Sequence, residues 1–217
     1  MLAAVRLRMG DLDRARADLR RAEQAQADRS TRLGDAGAWL ALVRAELHWQ
    51  EGDLAAVART CEMVLTWLDA KQSPWWDGMR AHLQARLALT VLREGNEARG
   101  RELLAAALAT AAAWVERPAL ATVMDAVAVL VLQVDGPAVP PERAKAAATL
   151  LGAAHTIRGA FDEGSLDAPG AREAARSQLG GAGFGAAYDR GRALGRDEAL
   201  ALARGAVAES AGQVLRR

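Results

Sequence analysis

The chain of 217 residues has little of what several kinds of protein require. Its one cysteine, Cys61, excludes an internal disulfide framework and favours a reducing compartment. Aromatic residues make up 4%, and β-branched residues, which strands prefer, are sparse. No uncharged apolar run approaches the ~20 residues that span a membrane, and the arginine-bearing N-terminus lacks a signal-peptide pattern. These deficits predict a soluble, cytoplasmic protein without a sheet.

An excess of one charge is absent as well. The 28 Lys and Arg residues nearly balance the 27 Asp and Glu residues, for a formal net charge of +1. Nucleic-acid-binding domains concentrate a basic excess on one face. Here the two signs alternate along predicted helices, which is typical of a solvated face. We therefore expect no direct contact with nucleic acid.

Motifs for catalysis or for cofactors are also missing. There is no Gly-Lys-Ser/Thr phosphate loop, G-x-S-x-G, H-E-x-x-H or C-x-x-C. His48, His82 and His155 show no metal-ligand spacing. The GGAGFG segment at residues 180–185 follows a predicted helix rather than a strand, which favours ordinary loop glycines over a nucleotide site. We expect neither an enzyme nor a bound metal or cofactor.

What the sequence does contain is alanine and an internal repeat. Hydrophobic residues make up 51%, much of it alanine, the strongest helix former. Four similar turn segments contain the glycines Gly10, Gly52, Gly95 and Gly136, spaced 42, 43 and 41 residues apart. The first three glycines are followed by Asp or Asn, a pair that ends one helix at a positive φ and caps the next. The pattern predicts helix pairs with a period of about 42 residues.

Other positions keep the same register. Small residues precede the glycines by seven positions, namely Ala3, Ala45, Ala88 and Val129. After the glycines, apolar residues follow at helical spacing and predict a buried stripe. That stripe comprises Leu12, Ala15, Leu19 and Ala22; Leu54, Val57, Cys61 and Val64; Leu104 and Ala107; and, after a short insertion, Ala144, Ala148 and Leu151.

The small residue, the Gly-Asp turn and the alanine-rich second helix resemble the tetratricopeptide repeat. The resemblance covers residues 1–164 as four repeats and implies an all-α solenoid of antiparallel helix pairs. The period exceeds the ~34 residues usual for the tetratricopeptide repeat and leaves the ~40–47-residue HEAT and armadillo classes as an alternative. The Gly-Asp turn favours the tetratricopeptide repeat. The first helix is short, so we expect a truncated first repeat and sequence upstream. Residues 165–217 are predicted to be capping helices of the same domain.

The C-terminal third carries a second resemblance. Within it, Asp167 and Pro169 predict the start of a helix that runs to Gly180. The segments TLLGAAHTIRGAF, DAPGAREAARSQLG and FGAAYDRGRALGRDEALALA are similar to the tail of AfsR-like antibiotic regulatory proteins and related ATP-binding regulators of actinobacteria with bacterial transcriptional activator domains. The resemblance implies a DNA-binding region and an NTPase module upstream of this chain.

Together these features predict a regulatory domain that binds a protein or peptide, upstream domains of its own polypeptide, or a second copy as a homo-oligomer. The alternative is an effector-sensing domain that holds a small molecule or peptide in its concave groove. The first helices of tetratricopeptide repeats line that groove, so the resemblance implies candidate groove residues: Trp39, Leu42, Glu46, Trp49, His82, Leu89 and Arg93.

Tryptophan supplies six of the nine aromatic residues. Trp39 and Trp49 either face the groove or fill gaps between alanine-rich helices. Trp75 and Trp76 adjoin Pro74 in a predicted linker and cannot both point inward from one helical face. They form a candidate exposed contact patch, unless the linker folds back onto the array.

Overall fold

The structure is a computed structural model that describes residues 2–28, 33–71, 73–113, 117–133 and 139–209. Every regular element in these residues is helical, which confirms the all-α prediction. The described chain divides into two compact units, residues 1–73 and 74–217.

Four helices lie in the described part of the first unit. They are α1 (Leu2–Arg8), α2 (Leu12–Ala27), α3 (Asp35–Glu51) and α4 (Leu54–Lys71). Helix α1 packs on α2 and α3, α2 packs on α3, and α3 packs on α4. The core between the first three helices contains Ala3, Leu7, Ala15, Leu19 and Leu47. Three of these five belong to the small-residue and stripe positions that the repeat predicted.

The second unit begins with a 3₁₀ turn, and its described residues form six helices. The turn is Pro74–Trp76, and the helices are α5 (Asp77–Arg93), α6 (Glu97–Ala113), α7 (Arg117–Leu132), α8 (Pro141–Arg158), α9 (Ala168–Ala193) and α10 (Arg196–Glu209). Helix α5 packs on α6 and α7, α7 on α8, and α8 on α9. Helix α10 packs against α6, α7 and α8, and the Arg101 guanidinium donates to the Val207 carbonyl at 2.9 Å.

The predicted glycine turns are present in three places with one geometry. Gly10, Gly52 and Gly95 have φ values of 77°, 77° and 85°. In each turn the next residue donates its N–H to the carbonyl five positions back, at 2.9 to 3.0 Å, as in a Schellman motif. The same residue then caps the following helix, since an Oδ1 of Asp11, Asp53 or Asn96 accepts from the N–H three positions on. Gly136, the predicted fourth turn, lies outside the described residues.

The predicted buried stripe is largely confirmed. Val57, Cys61, Val64, Leu104, Ala107, Ala144, Ala148 and Leu151 are all inaccessible to solvent. Of the four small residues before the turns, Ala3, Ala45 and Ala88 are buried and Val129 is half-buried. Small side chains at these positions let the helix backbones approach each other closely.

Local predictions in the C-terminal third are mixed. Gly180 has φ 68° and ψ 168° and divides α9 at a kink, as the sequence predicted. The expectation that residues 180–185 form a loop is wrong, because the chain is helical again directly after the kink. Asp167 occupies the N-cap position of α9, but its side chain makes no capping hydrogen bond to the first turn of the helix. Ser165 Oγ accepts from the N–H groups of Asp167 and Ala168 instead.

No helix among the described residues has the length and apolar character needed to cross a membrane.

Candidate interaction surface

Three of the predicted groove residues share one face of α3. Trp39, Leu42 and Glu46 follow each other at intervals of three and four residues, so their side chains leave the same side of the helix. Trp39 is 54% exposed, and Leu42 and Glu46 are half-buried. A large indole that stays half in solvent is unusual in a chain whose other large apolar side chains are mostly buried.

Helix α4 extends this face. The Lys71 ammonium lies 3.8 Å from an Asp35 carboxylate oxygen and 4.8 Å from the centre of the Trp67 ring. Trp39 lies one turn along α3 from Asp35, and Trp67 lies one turn before Lys71 on α4. The ion pair joins the start of α3 to the end of α4, which pack against each other, so each tryptophan lies one turn from a residue of that pair.

Met63 lies one further turn back along α4 and is 45% exposed. We call the set Trp39, Leu42, Glu46, Met63, Trp67 and Lys71 the α3–α4 surface. It offers two indoles and a thioether, with one carboxylate and one ammonium beside them. The contribution of α4 was not predicted, although Met63, Trp67 and Lys71 repeat at four-residue intervals that place them on one side of a helix.

Trp49 does not belong to this surface. It is 4% exposed, so its prediction as a groove residue is wrong and the alternative, that it fills the core, is correct. Ten residues of α-helix make about 2.8 turns, which places Trp49 roughly 80° around the helix from Trp39. That rotation is enough to bury one indole and expose the other.

The remaining predicted groove residues lie on α5, in the second unit. Leu89 is 2% exposed, so its prediction as a groove residue is also wrong. It lies in the long buried run of α5, between Ala88 and Thr90, which are both inaccessible. His82 is half-buried and Arg93 is exposed. Partial desolvation of its guanidinium lowers the pKa of Arg93. The negative charge of Asp167 acts to raise this pKa, and the positive charge of Arg86 acts to lower it.

The paired tryptophans of the linker have opposite environments. Trp75 is 74% exposed, whereas Trp76 is 7% exposed in the 3₁₀ turn that packs against α5. The prediction that Trp76 forms part of an exposed patch is therefore wrong. Adjacent residues in a tight turn project in different directions, so the turn that buries one indole presents the other.

The second unit also contains buried ion pairs that the sequence did not indicate. Arg86 on α5 lies 2.8 Å from Asp167, and Arg158 on α8 lies 2.5 Å from Asp125 on α7. All four side chains are largely or fully buried. Buried charges of this kind are retained only when they are paired. The first pair connects α5 with the segment that leads into α9, and the second connects α7 with α8.

Asp125 shows what this burial does to ionisation. Burial raises the pKa of Asp125 to about 6, although the charge and hydrogen bond of Arg158 act to lower it. The negative charges of Asp162 and Asp167 add to the rise. The one signal in the sequence is a lone carboxylate in the apolar run ATVMDAVAVLVL. Among the described residues, no three His, Cys, Asp or Glu side chains are grouped as they are around a metal ion.

Comparison of the chain with protein-family models, with curated proteins and with solved structures found no match.

Proposed function

We propose that the chain is a tetratricopeptide-like repeat domain that binds a protein partner through the α3–α4 surface and thereby regulates a larger bacterial transcription regulator. The observation that carries this proposal is Trp39, 54% exposed on α3, together with the half-buried Trp67 and the 45% exposed Met63 on the adjacent helix α4. Tryptophan anchors are enriched at the centres of protein interfaces.

The chemistry of the surface favours a protein or peptide as the ligand. Two indoles and a thioether offer apolar contact area with few rotatable bonds to order, and Met63 can adapt to the shape of a partner. We expect a partner that inserts one or two apolar side chains, such as one face of an amphipathic helix.

Two further features support the regulatory part of the proposal. Three turns share one backbone geometry at a constant register, which is what a repeat array requires. The C-terminal segments that resemble regulator tails form α8, α9 and α10, and their small residues lie where α8 and α9 pack most closely. Repeat domains of this kind present binding surfaces rather than catalytic groups.

A photoreactive amino acid at position 39 tests partner binding directly. Introduced in place of Trp39 in the bacterium that encodes the chain, it should cross-link on irradiation to one protein, which mass spectrometry identifies. The same protein should be captured from position 67, and position 25 on the exposed side of α2 is the matched control. Equal capture from position 25, or different proteins from positions 39 and 67, would contradict the proposal.

A second experiment tests regulation. Trp39→Ala in the polypeptide that carries the chain should change the transcripts under its control, and Trp39→Phe should preserve them, because an aromatic anchor remains. Circular dichroism of the purified variants confirms that both are folded. Unchanged transcripts in Trp39→Ala would refute the regulatory role. If a small metabolite raised the melting temperature instead, the effector-sensing alternative would gain support through mass action.

A further inference from the structure

Helix α10 departs from the packing order of the second unit. In the described residues of this unit, α6, α7, α8 and α9 each pack on the helix that precedes them in the chain. Helix α10 packs instead on α6, α7 and α8, and α9 is not among the helices that it contacts extensively. Because a repeat array stacks each element on its neighbours in sequence, this return to α6 is not part of the repeat.

The helices beneath α10 form a groove that it fills. Helices α6 and α8 both pack on α7, and α10 contacts all three, so it lies over α7 between the other two. We call the faces of α6, α7 and α8 on which α10 packs the α6–α8 groove. Proteins often recognise a partner by holding one of its helices in such a groove. Helix α10 therefore occupies this place as a bound helix would.

Two arginines fix the direction of α10 in the groove. Arg101, in the first half of α6, donates from Nη1 to the Val207 carbonyl in the last turn of α10, at 2.9 Å. Arg196, the first residue of α10, donates from Nη2 to the Ala112 carbonyl in the last turn of α6, at 2.7 Å. The last carbonyls of a helix have no partner within it, so each arginine satisfies one of them in the other helix. The two helices are therefore antiparallel, and α10 is held at both ends.

The apolar contact between these two bonds is small. The buried apolar side chains of α10 are Ala199, Leu200, Ala203 and Val207. Helix α8, by contrast, buries nine residues, which include two leucines and an isoleucine. The stabilisation that burial provides scales with the apolar area removed from water, so this contact holds α10 much less strongly than α8 is held.

Other features of α10 favour its release. Gly205 lies in the helix interior and lowers helix stability, although nothing within 4 Å would obstruct a Cβ there. Only Leu194, which has an extended backbone, and Gly195 join α10 to α9, so α10 can leave while α9 stays in place. A helix of 14 residues is marginal by itself in water, so α10 depends on the groove for its helical structure.

We propose that α10 is a reversible clasp, which leaves the α6–α8 groove as a unit while α5 to α9 remain folded. The vacated groove binds an amphipathic helix of a partner protein that has the pattern of α10. That pattern is an apolar row at intervals of four, with small residues at two positions and an arginine in the first turn. Docked α10 blocks the site, so release of α10 and partner binding are coupled. This inference does not depend on the α3–α4 surface, and either can fail alone.

Native-state hydrogen exchange of the full chain tests release. Protection factors in α10 should be at least ~10-fold lower than in α8, should share one opening equilibrium and should depend little on urea, because only a small surface opens. Gly205→Ala should slow exchange in α10 by ~2–5-fold and leave α8 unchanged, because alanine stabilises the docked helix. Protection that declines steadily towards residue 209 would indicate fraying, and equal protection of α8 and α10 would indicate that they unfold together. Either result overturns the proposal.

A matched pair of arginine substitutions tests the groove. Ala203 is inaccessible on α10 and Ala201 is exposed, so Ala203→Arg should expel α10 whereas Ala201→Arg should leave it docked. A fluorescent peptide of residues 194–209 should bind Ala203→Arg at least ~10-fold more tightly than it binds the original chain or Ala201→Arg, because the site is then vacant. The same peptide with Ala203→Arg should not bind.

Hydrogen exchange of Ala203→Arg completes the test. Protection should be lost in α10 and retained in α7, α8 and α9. Loss of protection throughout the second unit would show that α10 is an integral part of the core, and equal peptide binding by the two arginine variants would place the peptide elsewhere. A dimer of the original chain that Ala203→Arg dissociates would make α10 of a second copy the occupant. Each of these results overturns the proposal.

Discussion

Gly152 on α8 and Gly191 on α9 lie at a single crossing, where each helix backbone fills the space that a side chain on the other would need. A Cβ atom at Gly152 would overlap the carbonyl of Tyr188, and one at Gly191 would overlap the carbonyl of Thr149. Side chains reinforce the contact, since Thr156 Oγ1 donates to the Arg192 carbonyl at 2.9 Å. The two glycines therefore set the distance between these helices.

Gly152→Ala should destabilise the second unit by about 1–3 kcal/mol or more, because the added methyl group meets backbone atoms that cannot rotate away. Urea unfolding measures the change. Gly170→Ala is the matched control, since it lies in the first turn of α9 with open space around it. Alanine favours helix, so we expect this control to be neutral or slightly stabilising. Equal losses in the two variants would show that the crossing does not limit stability.

The buried Asp125 should make stability depend on pH in an unusual direction. Its pKa in the folded chain is about 6, above the ordinary 3.8, so between these values the folded chain holds a proton that the unfolded chain releases. The resulting stabilisation is complete below pH ~4 and is lost as the pH rises through 6. Its size is ~1.4 kcal/mol for each pH unit that separates the folded and unfolded pKa values.

Asp125→Asn removes this titration. The free energy of unfolding of the original chain, minus that of the variant, should therefore fall by up to ~3 kcal/mol between pH 4 and pH 7. Urea unfolding at several pH values gives this difference, in which titrations common to both chains cancel. Carbon NMR of the Asp125 carboxyl supplies an independent midpoint. A difference that is flat or that rises with pH would mean that Asp125 is ionised throughout.

How much of this structure the sequence predicted depends on how local each feature is. The turns at Gly10, Gly52 and Gly95 follow from two adjacent residues, and the buried positions of Val57 and Cys61 follow from helical spacing. These predictions are confirmed. Each depends on chemistry within about two helical turns, where a sequence pattern fixes both the conformation and the face that is buried.

The errors concern features set by distant parts of the chain or by small rotations. The pair of Arg86 with Asp167 joins residues 81 positions apart, and no local pattern links them. Local sequence therefore favours a helix cap at Asp167, whereas its side chain pairs with an arginine on another helix. Trp49 lies ten residues, or nearly three turns, after Trp39, which favours the same face of α3 for both. Ten residues make only about 2.8 turns, and the difference rotates Trp49 into the core.

The glycine turns should respond to substitution in a way that separates conformation from packing. Gly52→Ala should cost about 1–2 kcal/mol, because alanine at a φ of 77° is strained although nothing lies within 4 Å of the new Cβ. Gly205→Ala, inside α10 and equally unobstructed, should instead stabilise the chain by ~0.5–1 kcal/mol. Thermal unfolding of both variants shows whether each substitution lowers or raises stability. If both substitutions stabilised the chain, Gly52 would not need its left-handed conformation.

The opposite environments of Trp39 and Trp49 give the sharpest test of which side of α3 is the core. Trp49→Ala should cost about 3–5 kcal/mol, because a buried indole leaves a cavity that the neighbouring helices cannot fill. Trp39→Ala, half in solvent, should change stability by less than ~1 kcal/mol. Urea unfolding gives both values. Acrylamide quenches exposed indoles, so quenching of tryptophan fluorescence should decrease more in Trp39→Ala than in Trp49→Phe. Equal destabilisation by the two alanine substitutions would place Trp39 in the core as well, and would remove the anchor on which partner binding by the α3–α4 surface depends.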